Sequence, residues 1–479
     1  MLDVDRLIED DHPARAIWEL VGRLDLAGFA SIIGSVVGGA GRPADDPHLL
    51  ISLWVYAYSR GIGSAREVAR RCEHDPAFRW LTGLMVVNHH TLSDFRLEHR
   101  AALDELFTQV LGLLTAEGLI ELRTVTHDGT KVAADAGGAS FRTKTSIEMH
   151  LAAARRVVEA MGGSEDEDVT AKERSARERA GRERLHRLER AIAEVARLRA
   201  SKPHGQGASS GQVRTSTSDP DARIMRHTTG HYALSYHVQI STDAAAGIVV
   251  GVAVGQAAPD YEYLAPGVDQ VERRLGQFPA EVLVDAGYTS RENIVALHAR
   301  GVGVVGPWSP RDGRVQQRFA RAGVSQGFLP EQFGYDGETD TYTCPEGKRL
   351  KLARPSRRTP PGRVVQRYLA SQKDCWSCPS RSQCCSSNKR YGRSIVVTTE
   401  VPAMGVFRAM QGTAGLRARM GERAHVAEFV NAWLKAKLGL RRFHVRGLAK
   451  VGTEALWATL TYNVQQWIRL RWRPRLASA

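Results

Sequence analysis

The stretch EVLVDAGYTS, Glu281 to Ser290, decides how this chain is read. Val282, Leu283 and Val284 form a short apolar run, the pattern of a buried β-strand. The run stops on Asp285, and the small pair Ala286-Gly287 follows. A carboxylate at the lip of a buried strand costs free energy unless something compensates it. Asp285 therefore needs a partner supplied from elsewhere in the chain.

Working outward, a helix is expected near 261–275 before this strand, then a helix near 290–300 and the strand GVGVVG after it. Upstream, YALSYHVQIST and IVVGVAVGQ flank a small-residue turn, which is a hairpin signal. Earlier still, LRTVTHDGTKVAA reads as a strand ending at Asp128-Gly129. Far downstream, RAHVAEFVNAWLKAKLGLRRFHVRG has helical periodicity. Val426, Phe429, Val430 and Trp433 fall at i, i+3, i+4 and i+7, an apolar stripe. Glu428 lies about 200° from Val426 and shares a polar stripe with Asn431 and Lys435. For that helix alone, a solvated face with an ordinary charge pair is the better reading.

The bulk properties narrow the partner. At 479 residues the chain is long enough for two or three domains, and 43% hydrophobic with 25% charged residues describes a globular protein. Its net charge is +14 with a pI near 9.7. A balance that basic favours a polyanion, because neutralising phosphates releases condensed counterions. No apolar stretch reaches the roughly 18 residues a bilayer span needs, and the acidic start MLDVDRLIEDDHPARAIW lacks a secretory h-region. The expected setting is a reducing, bacterial-type cytoplasm with no membrane partner.

Residues 1–120 read as helices joined by tight turns, a candidate DNA-binding domain in which Arg66, Arg70, Arg71, Arg79 and Arg96 make either a DNA contact or a solvated face. Residues 121–306 carry the strands, interrupted at about 141–225 by a charged helical insertion that ends in the Gly/Ser-rich stretch 201–220. Residues 307–400 are rich in Arg, Pro and Cys, an irregular or β insertion, and residues 401–479 return to helix. The class is thus mixed α+β and α/β.

Two tempting motifs fail on context. GVGVVG matches G-x-G-x-x-G by letters, but its glycines sit inside the strand and PWSP follows where a phosphate-binding helix is required. THDGTK resembles the strand-ending motif of haloacid-dehalogenase-type phosphatases, yet Thr126 stands where the nucleophilic aspartate belongs.

Asp128, Asp285 and Glu428 taken together suggest a different chemistry. Two strand-borne carboxylates and one on a later helix offer hard oxygen ligands for a pair of Mg²⁺ or Mn²⁺ ions. Such a pair can activate an attacking oxygen and stabilise the leaving one. In a basic chain this points to a nuclease or strand-transfer enzyme. The ordered set of motifs resembles the DDE transposases of bacterial insertion sequences. GRPADDPHLLISLWVYAYSRGIGSAREVARRCEHDPAFRWLTG with NHHTLSDFR is similar to their N-terminal helical domain. HDGTKVAADAG, LVDAGYTS and AEFVNAWLKAKLGLRRFHVRGLAKV are similar to the segments carrying the first aspartate, second aspartate and glutamate.

The resemblance implies a ribonuclease-H-like mixed sheet flanked by helices, with Asp128, Asp285 and Glu428 as catalytic metal ligands. It implies binding of double-stranded DNA at terminal inverted repeats and transfer of a 3′-hydroxyl strand to target DNA, with a homodimer on DNA as the working unit. Lys131, Arg423, Lys435, Arg442 and Arg446 are the expected phosphate contacts. A nuclease of the same fold that cuts without joining, and a DNA-binding relative without catalysis, are the alternatives. Relatives often carry Tyr and Arg seven and four residues before the glutamate; here Gly421 and Ala424 hold those places, with Arg423 one position off.

Five of the six cysteines fall in the 307–400 insertion. Cys344, Cys375, Cys378 and Cys384 could hold a structural Zn²⁺, with Cys384 a better fourth ligand than Cys385. The plainer reading is reduced thiols in a β-rich insertion. Arg357, Arg358, Arg363, Arg367 and Lys373 surround them as candidate DNA contacts.

Overall fold

The computed structural model describes residues 3–30, 45–161, 170–201, 213–307, 319, 322–353, 365–385, 392–398 and 402–478. Arg357, Arg358, Arg363 and residues 202–212 of the Gly/Ser-rich stretch lie outside them. The chain forms two compact units, Met1–Leu283 with Gly421–Ala479, and Val284–Met420.

The first unit is built around the helix Leu448–Trp467, in which nearly every residue from Val451 to Trp467 is buried. A helix buried on all sides must be covered on all sides. The sheet strand Ile248–Gly255, the helix Pro47–Ser59 and the helix Arg100–Ala116 cover it. Pro47–Ser59 starts where Asp46 accepts the amide of His48 and Pro47 occupies the first turn. Ser64 and Asn88 cap the following helices Ala65–His74 and His89–Glu98 in the same way. Trp54 and Trp457 bury their rings and donate their indole N–H groups to the carbonyls of Leu92 and Arg96.

The sheet of this unit has β1 (Thr124–Ala133) at its centre. β1 pairs antiparallel with β5 (Tyr232–Asp243) and parallel with β7 (Glu281–Leu283). β5 also pairs antiparallel with β6 (Ile248–Gly255) and with β4 (Arg223–Arg226). One face of β5 carries Leu234, Tyr236, Val238 and Ile240, and the other carries Ser235, His237, Gln239 and Ser241, all buried. The helix Leu264–Leu275 packs against the sheet so closely that a Cβ on Gly267 would stand 2.5 Å from the His127 ring. The short strands β2 (Phe141–Thr143) and β3 (Arg214–Ser216) pair beside a helical hairpin, Lys144–Met161 and Ala171–Ala200. Thr170 and Glu173 close a capping box at the second helix, and Ile147, Ala154, Leu188, Ala191 and Val195 make a small core of its own.

In the second unit Val284 donates its amide to Val305 on β8 (Gly303–Val305), and the helix Arg291–Ala299 lies between them in sequence. Residues 334–398 then form a five-stranded antiparallel sheet in the order β13 (Ser394–Thr398), β12 (Val365–Ala370), β11 (Arg349–Leu352), β10 (Thr341–Thr343) and β9 (Gly334–Asp336). Phe328, Leu350, Tyr368, Ile395, Cys375 and Cys384 fill its core. Of the two readings of this insertion, irregular or β, its described residues take the β one. Its strands are three to six residues long, too short to give a sustained period-2 signal.

Candidate active site

Asp128 does not end its strand. β5 accompanies β1 from the Val125–Asp243 pair to the Ala133–Ser235 pair, so β1 continues five residues past Asp128. The parallel partner β7, however, reaches only to the Thr126–Leu283 pair. On that side Asp128 stands just beyond the last paired position, which frees it to meet a side chain from outside the sheet.

That meeting comes from the helix Ala414–Ala436. Arg423 Nη2 lies 2.9 Å from Asp128 Oδ1, with both side chains less than a fifth exposed. Asn431 Nδ2 donates to Asp128 Oδ2 at 2.8 Å. Arg423 and Asn431 are eight residues apart, about 80° around the helix, so one face presents both. A charge-assisted bond and an amide bond together offset the cost of the half-buried carboxylate. Lys435, four residues on from Asn431, is nearby: burial pushes its ammonium pKa below the usual range, and the Asp128 charge opposes that shift.

The helix is turned relative to the expected stripe. Ala427, Val430, Leu434 and Leu438 are buried, whereas Phe429 is 44% exposed and Val426 and Trp433 are half-buried. The buried line lies roughly a quarter turn from the expected one. Two aromatics that looked like core anchors instead pack on each other, ring centroids 5.4 Å apart, and Trp433 donates to Gln465. Polar contacts to Asp128 set the rotation that hydrophobicity alone misjudges. Glu428, about 60° around the helix from Asn431, is exposed.

Asp285 belongs to the second unit and is half-buried. Its Oδ1 accepts the Gly287 amide at 2.7 Å, and its carbonyl accepts the Tyr288 amide. Thr289 donates to the Pro307 carbonyl, and Ser290 caps the next helix through Asn293. The acid thus heads a braced turn between a strand and a helix.

Beside Asp128, His127 is fully buried; its Nδ1 lies 2.9 Å from the Ser241 hydroxyl, and burial pushes its pKa down to about 3. Burial thus favours the neutral ring. Of the expected phosphate contacts, Lys131 is half-buried and Arg442 is exposed, on a segment that bridges β1 at Ala133. Arg446 pairs with the Asp135 carboxylate at 2.9 Å. Among the N-terminal arginines, Arg70 and Arg71 pair with Glu67. Arg96 is buried against the Trp54 ring and donates to the Gly63 carbonyl, so it is a core residue.

All five clustered cysteines line one cavity of about 20 Å³ in the second unit. Cys375 and Cys384 are buried, whereas Cys344, Cys378 and Cys385 are half-buried. Among the described residues, no three Cys, His, Asp or Glu side chains already stand together at metal-binding distances.

Sequence reasoning placed Arg423 among phosphate contacts and Asn431 only as a member of a polar stripe. Both reach Asp128, and their eight-residue spacing on one helix face was the available signal.

Comparison with known families separates the two halves of the chain. Residues 343–468 match a transposase DDE domain, and residues 2–98 match a transposase domain (DUF772). The first match spans Arg423, Glu428, Asn431, Lys435 and the cysteines, while Asp128 and Asp285 lie outside both. No curated protein and no solved structure gives a significant match. Both matches are to transposase families, and they support reading the chain as an insertion-sequence DDE transposase.

Proposed function

We propose that this chain binds double-stranded DNA at the terminal inverted repeats of its element, cuts there, and joins the freed 3′-hydroxyl to target DNA. The observation that carries this reading is the Asp128 carboxylate gripped by Arg423 and Asn431 of the helix that bears Glu428. An Asp on the central strand of a mixed sheet, addressed by a later helix carrying a third acid, suits a ribonuclease-H-like catalytic domain. Chain counting supports Asp285 as the second acid: Asp128 and Asp285 each stand two residues past the paired Thr126 and Leu283.

The donor set fits a hard divalent cation, since all three groups are carboxylates and Asp128 Oδ1 already accepts a cationic group in Arg423. Asp128, Asp285 and Glu428 would hold two Mg²⁺ or Mn²⁺ ions, which when bound supply charge stabilisation for phosphoryl transfer. The chain's own residues do the rest. Asn431 and Arg423 fix the Asp128 carboxylate in one orientation. Lys435, with Lys131 and Arg442, supplies positive charge for the DNA backbone. His127, neutral and buried, supports the strand without exchanging protons. The working unit on DNA is a homodimer, in a bacterial cytoplasm.

The test uses a duplex carrying the element's terminal repeat, an added target duplex and Mg²⁺. Cleaved and joined products are expected, and Asp285→Asn should yield neither. Cleavage without joining, when a 3′-hydroxyl end is supplied, would establish the nuclease alternative. Unchanged cleavage in Asp285→Asn would remove Asp285 from the site.

A further inference from the structure

The cavity enclosed by the cysteines carries an inference separate from DNA chemistry. Its lining includes Cys344, Cys375, Cys378, Cys384 and Cys385 together with Arg381 and Arg393. Arg393 is 6% exposed. It donates to the carbonyls of Cys384 and Phe328, and among the described residues no ion pair to a carboxylate accompanies it. A buried guanidinium without an anion is costly. Glu346 and Asp374 also line the cavity, and the remaining groups there that can become anionic are the thiols.

The main chain is already arranged to receive thiolates. The Lys348 amide points at Cys344 Sγ at 3.3 Å, across a turn in which Gly347 adopts φ +73°. The Arg393 amide points at Cys375 Sγ at 3.2 Å. Such N–H to sulfur bonds favour the charged form of sulfur. With the thiols protonated they are weak.

We propose that Cys344, Cys375, Cys378 and Cys384 bind one zinc ion that ties the turn after β10 to the two short helices following β12. Four thiols release four protons to solvent, and the four thiolates with Zn²⁺ leave a net charge of −2 beside Arg393, Arg381 and Lys348. The cavity has room for a single ion. Cys385 is the spare thiol, because two adjacent residues cannot readily both ligate one tetrahedral centre and Cys384 is the more buried.

The full-length protein tests this directly. Purified under reducing conditions, it should carry one zinc per chain by elemental analysis. Exchange for Co²⁺ should give the intense visible bands of a tetrahedral thiolate site. Cys375→Ser and Cys384→Ser should lose the metal, whereas Cys385→Ser and Cys72→Ser should keep it. Wild-type protein that is folded but zinc-free, and shows no cobalt–thiolate bands, would overturn the proposal. So would a native disulfide among these cysteines. Retention in Cys384→Ser with loss in Cys385→Ser would overturn the ligand set. Each outcome is read without DNA, so failure here is distinct from failure of the transposase reading.

Discussion

At Asp128 a half-buried carboxylate meets a guanidinium and an amide, and its charge is answered within the protein. In the cysteine cavity a more deeply buried guanidinium, Arg393, meets two carbonyl oxygens and the faces of Phe319 and Phe333, while two backbone amides point at cysteine sulfurs. The first site is held ready by its own side chains. The second lacks a negative charge that four thiolates on a metal would provide. Charge balance thus separates a carboxylate answered by its neighbours from a guanidinium that, under the zinc proposal, would be answered by bound metal thiolates.

The largest effect should come from breaking the first site. Asp128→Asn keeps the shape but removes the charge that Arg423 answers. It should lower cleavage and joining by ~10³-fold or more, measured on labelled repeat DNA, with the folded state intact by circular dichroism. A rate within a few-fold of wild type would separate Asp128 from the chemistry.

A smaller loss should follow from removing the grip while leaving the acid. Asn431→Ala should cost about 10- to 100-fold in cleavage and weaken the apparent Mn²⁺ affinity. A purely structural asparagine would change stability without moving the metal dependence. The contrast with Asp128→Asn then sharpens the distinction between a ligand and the group that orients it.

Lys435 should act on the DNA rather than on the acid. Lys435→Met should reduce the slope of log affinity against log salt by about one, with the same loss on specific and unrelated duplexes. Because burial lowers its pKa, the wild-type contact should weaken at a lower pH than an ordinary lysine would. An unchanged salt slope would place Lys435 off the DNA path.

The smallest effect concerns His127, which lies under the first site without taking part. Its folded pKa of about 3 is below the ordinary 6.5. In that window the unfolded chain binds the proton and the folded chain does not. Its contribution is therefore fully present above about pH 6.5 and lost as pH falls toward 3. Denaturant midpoints measured between pH 4 and 8 should fall toward the acid end, and His127→Gln should flatten that dependence.

The strands that carry Asp128 and lead to Asp285, and the helix that carries Glu428, were legible in the sequence because each motif is local. The geometry between them was not. Asp128 was read as a strand end because Asp-Gly resembles a turn, while pairing with a distant β5 carries the strand onward. The 414–436 helix was read from its largest apolar residues, yet Phe429 is exposed and small Ala427 is buried. Rotation was decided by Arg423 and Asn431 reaching a carboxylate nearly 300 residues away in sequence. Arg96 looked like surface charge until Trp54 and the Gly63 carbonyl enclosed it. In each case the deciding contact is long-range, and no window of sequence contains both partners.

The central claim is that Asp128, Asp285 and Glu428 serve one metal-dependent centre. Substituting Fe²⁺ for Mg²⁺ and generating hydroxyl radicals at the bound ion cuts the polypeptide wherever it approaches the metal. The account predicts fragments whose ends cluster near residues 128, 285 and 428, suppressed by excess Mg²⁺ and absent in Asp128→Asn. Cuts near only one of these positions, or cuts that persist in Asp128→Asn, would contradict it.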